Sequence, residues 1–189
     1  MNKTYTILHL MLFIFTCSVV NAQTVKTGLS FDGVDDYVRI PHSNALNLGT
    51  GEFTIEAWIQ VEDDISVSAP MILSKKAGSL SATGLMFGLS DKGKLVIQIE
   101  GQSFFSSSFG GLDLRDGQCH HVVYTRENAS GSDTVRAYID GGLINKSVKS
   151  ISKSLTADNN DDITLGWSEF TITNGEYFFK GMIKEVRIW

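Results

Sequence analysis

From Phe53 to Val61 the chain alternates without a break. Phe53, Ile55, Ala57, Ile59 and Val61 share one parity, and Thr54, Glu56, Trp58 and Gln60 share the other. Neighbouring side chains of a strand point to opposite faces, so this stretch predicts a β-strand with one face packed and one turned to water or a ligand. Leu95, Ile97 and Ile99 repeat the pattern after an Asp91-Lys92-Gly93 turn. Val135, Ala137 and Ile139 alternate with Arg136 and Tyr138, and Asp140-Gly141 predicts a hairpin into Leu143–Val148. Shorter apolar runs predict strands at Leu29–Phe31, Asp36–Ile40, Met71–Ser74, Leu85–Leu89, Phe104–Ser107, His121–Arg126, Ile163–Leu165 and Tyr177–Trp189. No long stretch keeps a helical period. Glu62–Ser68, Lys76–Thr83 and Ser150–Asp162 read as loops, none of them an interdomain linker. About a dozen strands punctuated by Gly, Ser, Asn and Asp predict an all-β fold, a two-sheet antiparallel jelly-roll β-sandwich.

The first residues follow another logic. Lys3 precedes the apolar run Ile7–Phe15, and Val20-Asn21-Ala22 places small residues before Gln23. That predicts a secretory signal peptide over residues 1–22, cleaved after Ala22, and a single domain over 23–189. The apolar run is too short to span a bilayer. Cys17 faintly resembles a lipoprotein cleavage site but lacks the small residue usual before it. The whole chain has a net charge of −5. It has no Lys/Arg cluster, which argues against nucleic acid as a partner. With Cys17 in the leader, Cys119 has no partner for an internal disulfide.

Five segments in order carry a resemblance: "LSFDGVDDYVRIP", "FTIEAWIQV", "HHVVYTR", "VRAYIDGGLI" and "KGMIKEVRIW". Together they resemble the laminin-G-like jelly-roll domains of bacterial exported proteins, within the concanavalin A-like lectin/glucanase superfamily. The resemblance implies a concanavalin A-like sandwich and a non-catalytic role, binding a glycan or a cell-surface protein outside the cell or at its surface. The family commonly has tryptophan where this chain has Cys119, and aspartate where it has Lys184. A cysteine in a space shaped for an indole predicts a buried, slow-reacting thiol.

Four groups of residues invite a chemical reading. Cys119, His120 and His121 look like a metal or nucleophile site, but strand parity separates the two histidines, and the one other histidine outside the leader is His42. They read as strand residues. Asp32, Asp35 and Asp36 crowd one turn; Asp32-Gly33 is also ordinary turn chemistry, and the resemblance raises the case for a structural Ca²⁺ at Asp32 and Asp35. Asp158, Asn160, Asp162 and Glu169 occupy the first, third, fifth and twelfth places of a calcium-loop pattern. Its sixth place is Ile163 where glycine is needed, so the match reads as accidental, although a carboxylate of this loop remains open as a ligand of another calcium site. Among the aromatic residues, Trp58 reads as cross-strand packing. Trp167, with Glu169 and Asn174 in the same polar segment, is the expected ligand-binding group, an indole to stack on a sugar and polar groups to fix its hydroxyls.

The strand string Glu-x-Asp-x-Glu used by jelly-roll glucanases is absent, so no catalytic residues are assigned. Asn128-Ala129-Ser130 and Asn145-Lys146-Ser147 match the glycosylation acceptor pattern beside turns. The expectation is an exported, non-catalytic glycan-binding module; a protein-interaction or adhesion module is the alternative, with a glucanase-type glycoside hydrolase behind it. The chain reads equally as a whole protein or as a piece of a longer one.

Overall fold

A computed structural model describes residues 27–62, 69–76, 83–99, 102–103, 112–129, 132–150, 156, 158–169 and 177–189. Among them run β1 (Leu29–Asp32), β2 (Val38–Ile40), β3 (Phe53–Val61), β4 (Met71–Lys75), β5 (Leu85–Leu89), β6 (Leu95–Ile99), β7 (Gln102–Ser103), β8 (Cys119–Ala129), β9 (Ser132–Ile139), β10 (Gly142–Ser150), β11 (Ile163–Leu165) and β12 (Lys180–Ile188). They form two six-stranded sheets, in the orders β1-β12-β3-β8-β9-β10 and β2-β11-β4-β5-β6-β7. The pairings are antiparallel throughout. No described helix is long and apolar enough to cross a membrane.

The alternation of β3 is realised as a strictly alternating burial pattern, its apolar parity inside. That parity meets Val122, Tyr124, Val135, Ala137 and Ile183 of its own sheet and Leu73, Phe87, Ile97 and Leu165 of the other in one core cluster. Burying a side chain of this size stabilises by roughly 1.5–3 kcal/mol, which holds the sheets face to face. The expected Asp140-Gly141 hairpin forms with both residues at positive φ (50° and 79°), as a two-residue turn between right-twisted strands requires.

Three expectations shift. The second strand starts at Val38 and not at Asp36, because the Asp36 carboxylate turns back to accept the Asp32 N–H at 3.1 Å. The last strand starts at Lys180, since Tyr177 and Phe179 make isolated bonds to Met71 and Gly166 instead of a ladder. Within it the register slips between Lys184 and Arg187, with Glu185 at φ 52°. This bulge moves Val186 and Ile188 onto the core side that plain alternation from Ile183 would deny them. The strand expected at Phe104–Ser107 lies outside the described residues, as does the proposed leader.

β8 answers the question raised by its cysteine and histidines. Its even positions from His120 to Arg126 are buried and its odd positions face outward. Cys119 is therefore exposed, and the expected buried thiol is corrected. The strand begins one residue before the core does, so parity alone decides the matter. His121 stacks on Trp58 at 4.9 Å and contacts Glu56 at 3.1 Å, while Lys184 lies 5.6 Å above the same indole. Trp58 is cross-strand packing, as expected.

His120 is buried between two carboxylates, Nδ1 at 2.8 Å from Asp140 and Nε2 at 3.2 Å from Asp116. Burial alone disfavours the charged ring, but the bonds to Asp140 and Asp116 outweigh it and raise the imidazole pKa above its usual value. The Asp140 carboxyl is lowered chiefly by His120, and that of Asp116 chiefly by the Gln118 N–H with His120 assisting. A raised histidine stabilises fully below its unfolded value of about 6.5, and that contribution fades as pH rises through the folded value. The lowered aspartates stabilise above about pH 4 and lose this as pH falls through their folded values. Thermal unfolding across pH should show a plateau between these limits, and His120→Asn should flatten the decline on its alkaline side. An unchanged alkaline limb in the variant would refute the clamp.

Candidate functional site

The site is built where β11 ends. Gly166 has φ 81°, and a Cβ there would lie 2.3 Å from the Phe31 ring, so the turn admits only glycine. This turn folds Trp167 and Ser168 back over the outer face of the second sheet. Thr164 Oγ1 donates to the Trp167 carbonyl at 2.7 Å, and the hydroxyls of Ser74 and Ser168 meet at 2.9 Å. The Trp167 indole then meets two other rings, Tyr37 at 5.0 Å and tilted by 43°, and Phe178 at 5.8 Å and nearly parallel to it. Tyr37 is 46% exposed and forms the open end of the stack.

Beside the stack lies a cleft of about 310 Å³ lined by Arg39, Lys76, Asn160, Asp161, Asp162, Thr164 and Glu169. Arg39 stands 5.9 Å over the Tyr37 ring, with its guanidinium 3.6 Å from Asp162 and 3.9 Å from Glu169. Lys76 donates to Gln98 at 3.0 Å, and burial pushes its pKa down. The lining therefore combines donors and acceptors at short range, and Arg39 joins it to the aromatic group at Tyr37.

The segment that supplies Tyr37 also carries the acidic turn. Asp32, Asp35 and Asp36 offer carboxylate oxygens within 4.8 Å of one another, all exposed. The Asp32 Oδ1 accepts the N–H groups of Val34 (2.8 Å) and Asp35 (3.3 Å), and the Val34 bond foremost holds its carboxyl below the usual range. The turn chemistry expected from sequence is present, and it leaves the three carboxylates close enough together to share an ion. Three convergent carboxylates suit a hard cation that completes its oxygen shell with water.

Of the sequence-chosen ligand residues, Trp167 stands in the aromatic stack and Glu169 in the cleft, whereas Asn174 lies outside the described residues. Asp32 and Asp35 meet, with Asp36 as the third member. Sequence reading missed Tyr37, Arg39 and Thr164. The parity of "YVRI" could have found the first two, since Val38 packs on the core and both its neighbours face out. A second hollow of about 410 Å³ lies on the far sheet, between Thr125, Arg136, Tyr138 and Trp189, crossed by the Arg136–Glu127 ion pair.

Two antiparallel six-stranded sheets packed face to face are the architecture of a concanavalin A-like domain. The chain belongs to the laminin G-like family of the concanavalin A-like lectin/glucanases superfamily, whose model matches residues 32–189. No curated protein matches it in sequence. Among solved structures, domains LG4-5 of the mouse laminin α1 chain are similar at 16% identity and TM-score 0.53, over 85% of this chain and 40% of that one. The Limulus polyphemus SAP-like pentraxin is similar at 15% identity and TM-score 0.53, over 85% and 74%. The carbohydrate-binding module CBM40 of the Ruminococcus gnavus IT-sialidase is similar at 13% identity and TM-score 0.54, over 82% and 90%. At these identities what is shared is the fold.

Gly166→Ala places a methyl against Phe31 in a left-handed backbone. It should cost about 2–4 kcal/mol of stability, read by denaturant unfolding. A variant as stable as the parent would show that the turn is not held as described.

Proposed function

We propose that this chain is an exported, non-catalytic binding module that takes a glycan into the cleft beside Tyr37 and Trp167. The observation that carries the reading is the three-ring stack bordering a cleft of hydrogen-bonding groups. A pyranose ring has an apolar face to lay on an aromatic ring and hydroxyls to exchange bonds with Arg39, Asn160, Asp162 and Glu169. The leader expected at residues 1–22 supports export. Against catalysis, two carboxylates of the cleft, Asp162 and Glu169, both flank the guanidinium of Arg39. A glycosidase needs one acid in surroundings that keep it protonated.

CBM40 of the Ruminococcus gnavus sialidase has been solved with α2,3-sialyllactose. In the cleft of this chain Arg39 and Lys76 stand among Asp161, Asp162 and Glu169. An added sugar carboxylate would compete with carboxylates already at Arg39, so a neutral saccharide fits better. A protein partner is the second reading. It is favoured by Val34, Tyr37 and Ile40, which expose 62%, 46% and 38% of their surface along one segment.

Glycan-array binding should be strongest for neutral oligosaccharides. Tyr37→Ala should weaken it about tenfold, the loss of one stacking contact, while Tyr138→Ala on the opposite sheet should leave it unchanged. Silence across a broad array, with capture of a surface protein that Tyr37→Ala abolishes, would favour the second reading. We assign Ca²⁺ to Asp32, Asp35 and Asp36. Millimolar calcium should raise the melting temperature, and Asp35→Asn should remove that shift; a shift that survives in the variant would place the ion elsewhere.

A further inference from the structure

The loop Asp158–Asp162 has residues spaced like those of a cation site, and its oxygens do converge on a cation. That cation belongs to the protein. Lys75, at the end of β4, is 1% exposed. Its ammonium donates to Asn159 Oδ1 at 2.9 Å, the Asn159 carbonyl at 3.0 Å and the Asp161 carbonyl at 2.9 Å. An ammonium has three donors, so these acceptors saturate it. His42 Nδ1 stands at 3.4 Å as an outer neighbour.

The surroundings are those of a cation-binding loop. Burial pushes the ammonium's pKa down, and the charges of Asp161, Asp158 and Asp162 push it back up. Backbone donors fasten the two ends of the loop, and Arg39 adds an ion pair to Asp162 at 3.6 Å. Asp158 Oδ1 accepts the Gly49 N–H and Asp162 Oδ1 the His42 N–H, each at 2.7 Å. Asn159 Nδ2 donates to the carbonyls of Lys75 and Thr83, in a space that a Cβ on Gly84 would invade at 2.7 Å. Asn159 and Lys75 thus hold each other in both directions. The loop so fixed presents Asn160, Asp161 and Asp162 to the cleft.

We propose that the Asp158–Asp162 loop is a cation site occupied permanently by the ammonium of Lys75, which positions one wall of the cleft without a metal ion. Bonds to a charged donor are the strong kind, and burial denies water a competing share. Any calcium dependence of ligand binding then resides in the Asp32–Asp36 turn and not in this wall. The proposal is independent of what the cleft binds.

The test compares Lys75→Met with its parent, both carrying Asp35→Asn so that the acidic turn is silent. Lys75→Met should speed amide exchange at residues 159–162 by about tenfold or more and lower the melting temperature. Millimolar calcium should reverse much of both effects in Lys75→Met alone, because the vacated oxygens can close on an ion at about 2.3–2.6 Å. Loss of packing alone would not be reversed by an ion. Exchange unchanged by the substitution, or changed but indifferent to calcium, would overturn the proposal. Should Lys75→Met not fold, the Asp35→Asn parent decides: calcium and chelator should both leave exchange at residues 159–162 unaltered, and protection by calcium would show that the ammonium does not fill the site.

Discussion

Two sheets remain face to face only while every strand keeps its apolar parity inside, and the centre of that constraint is β3. It lies between β12 and β8, and its five inward side chains touch both layers. A slip of one residue would expose all five and bury Glu56 and Gln60. The neighbours are therefore not at liberty either. β8 must turn His120 inward and Cys119 outward, and β12 must spend a bulge at Glu185 to return Val186 and Ile188 to the core.

The same constraint creates the polar problems that the molecule solves locally. His120 falls on the inward parity near the end of the sandwich and is held by Asp116 and Asp140. Lys75, which pairs with the core residue Leu85, falls there too and is held by a loop. Lys76, one residue on, faces the opposite way and lines the cleft. Two adjacent lysines thus serve different ends because a strand separates their directions.

Long alternating runs made most of the sandwich legible. β3, β5, β6 and β11 appear with the bounds their apolar residues predict, because period-two patterning and core burial are one phenomenon. The ends of β2 and β12 were less legible, since they depend on a bond from Asp36 and on a bulge that no periodicity announces. Cys119 follows the parity of its own strand and not the likeness to a tryptophan position, so it faces outward. The candidate site was half legible. Trp167, Glu169 and the acidic turn could be chosen by residue type, but their meeting with Tyr37 and Arg39 depends on pairing between β2 and β11, more than a hundred residues apart. The role of Lys75 was invisible for the same reason, since its acceptors lie 84 and 86 residues away.

The outward turn of Cys119 has a practical side. Among the described residues Cys119 carries the one sulfhydryl, placed on the outer surface of the first sheet, while the cleft opens on the other. Coupling through that one atom would orient every molecule alike on a bead, a sensor chip or a fluorophore, with the cleft facing away from the attachment.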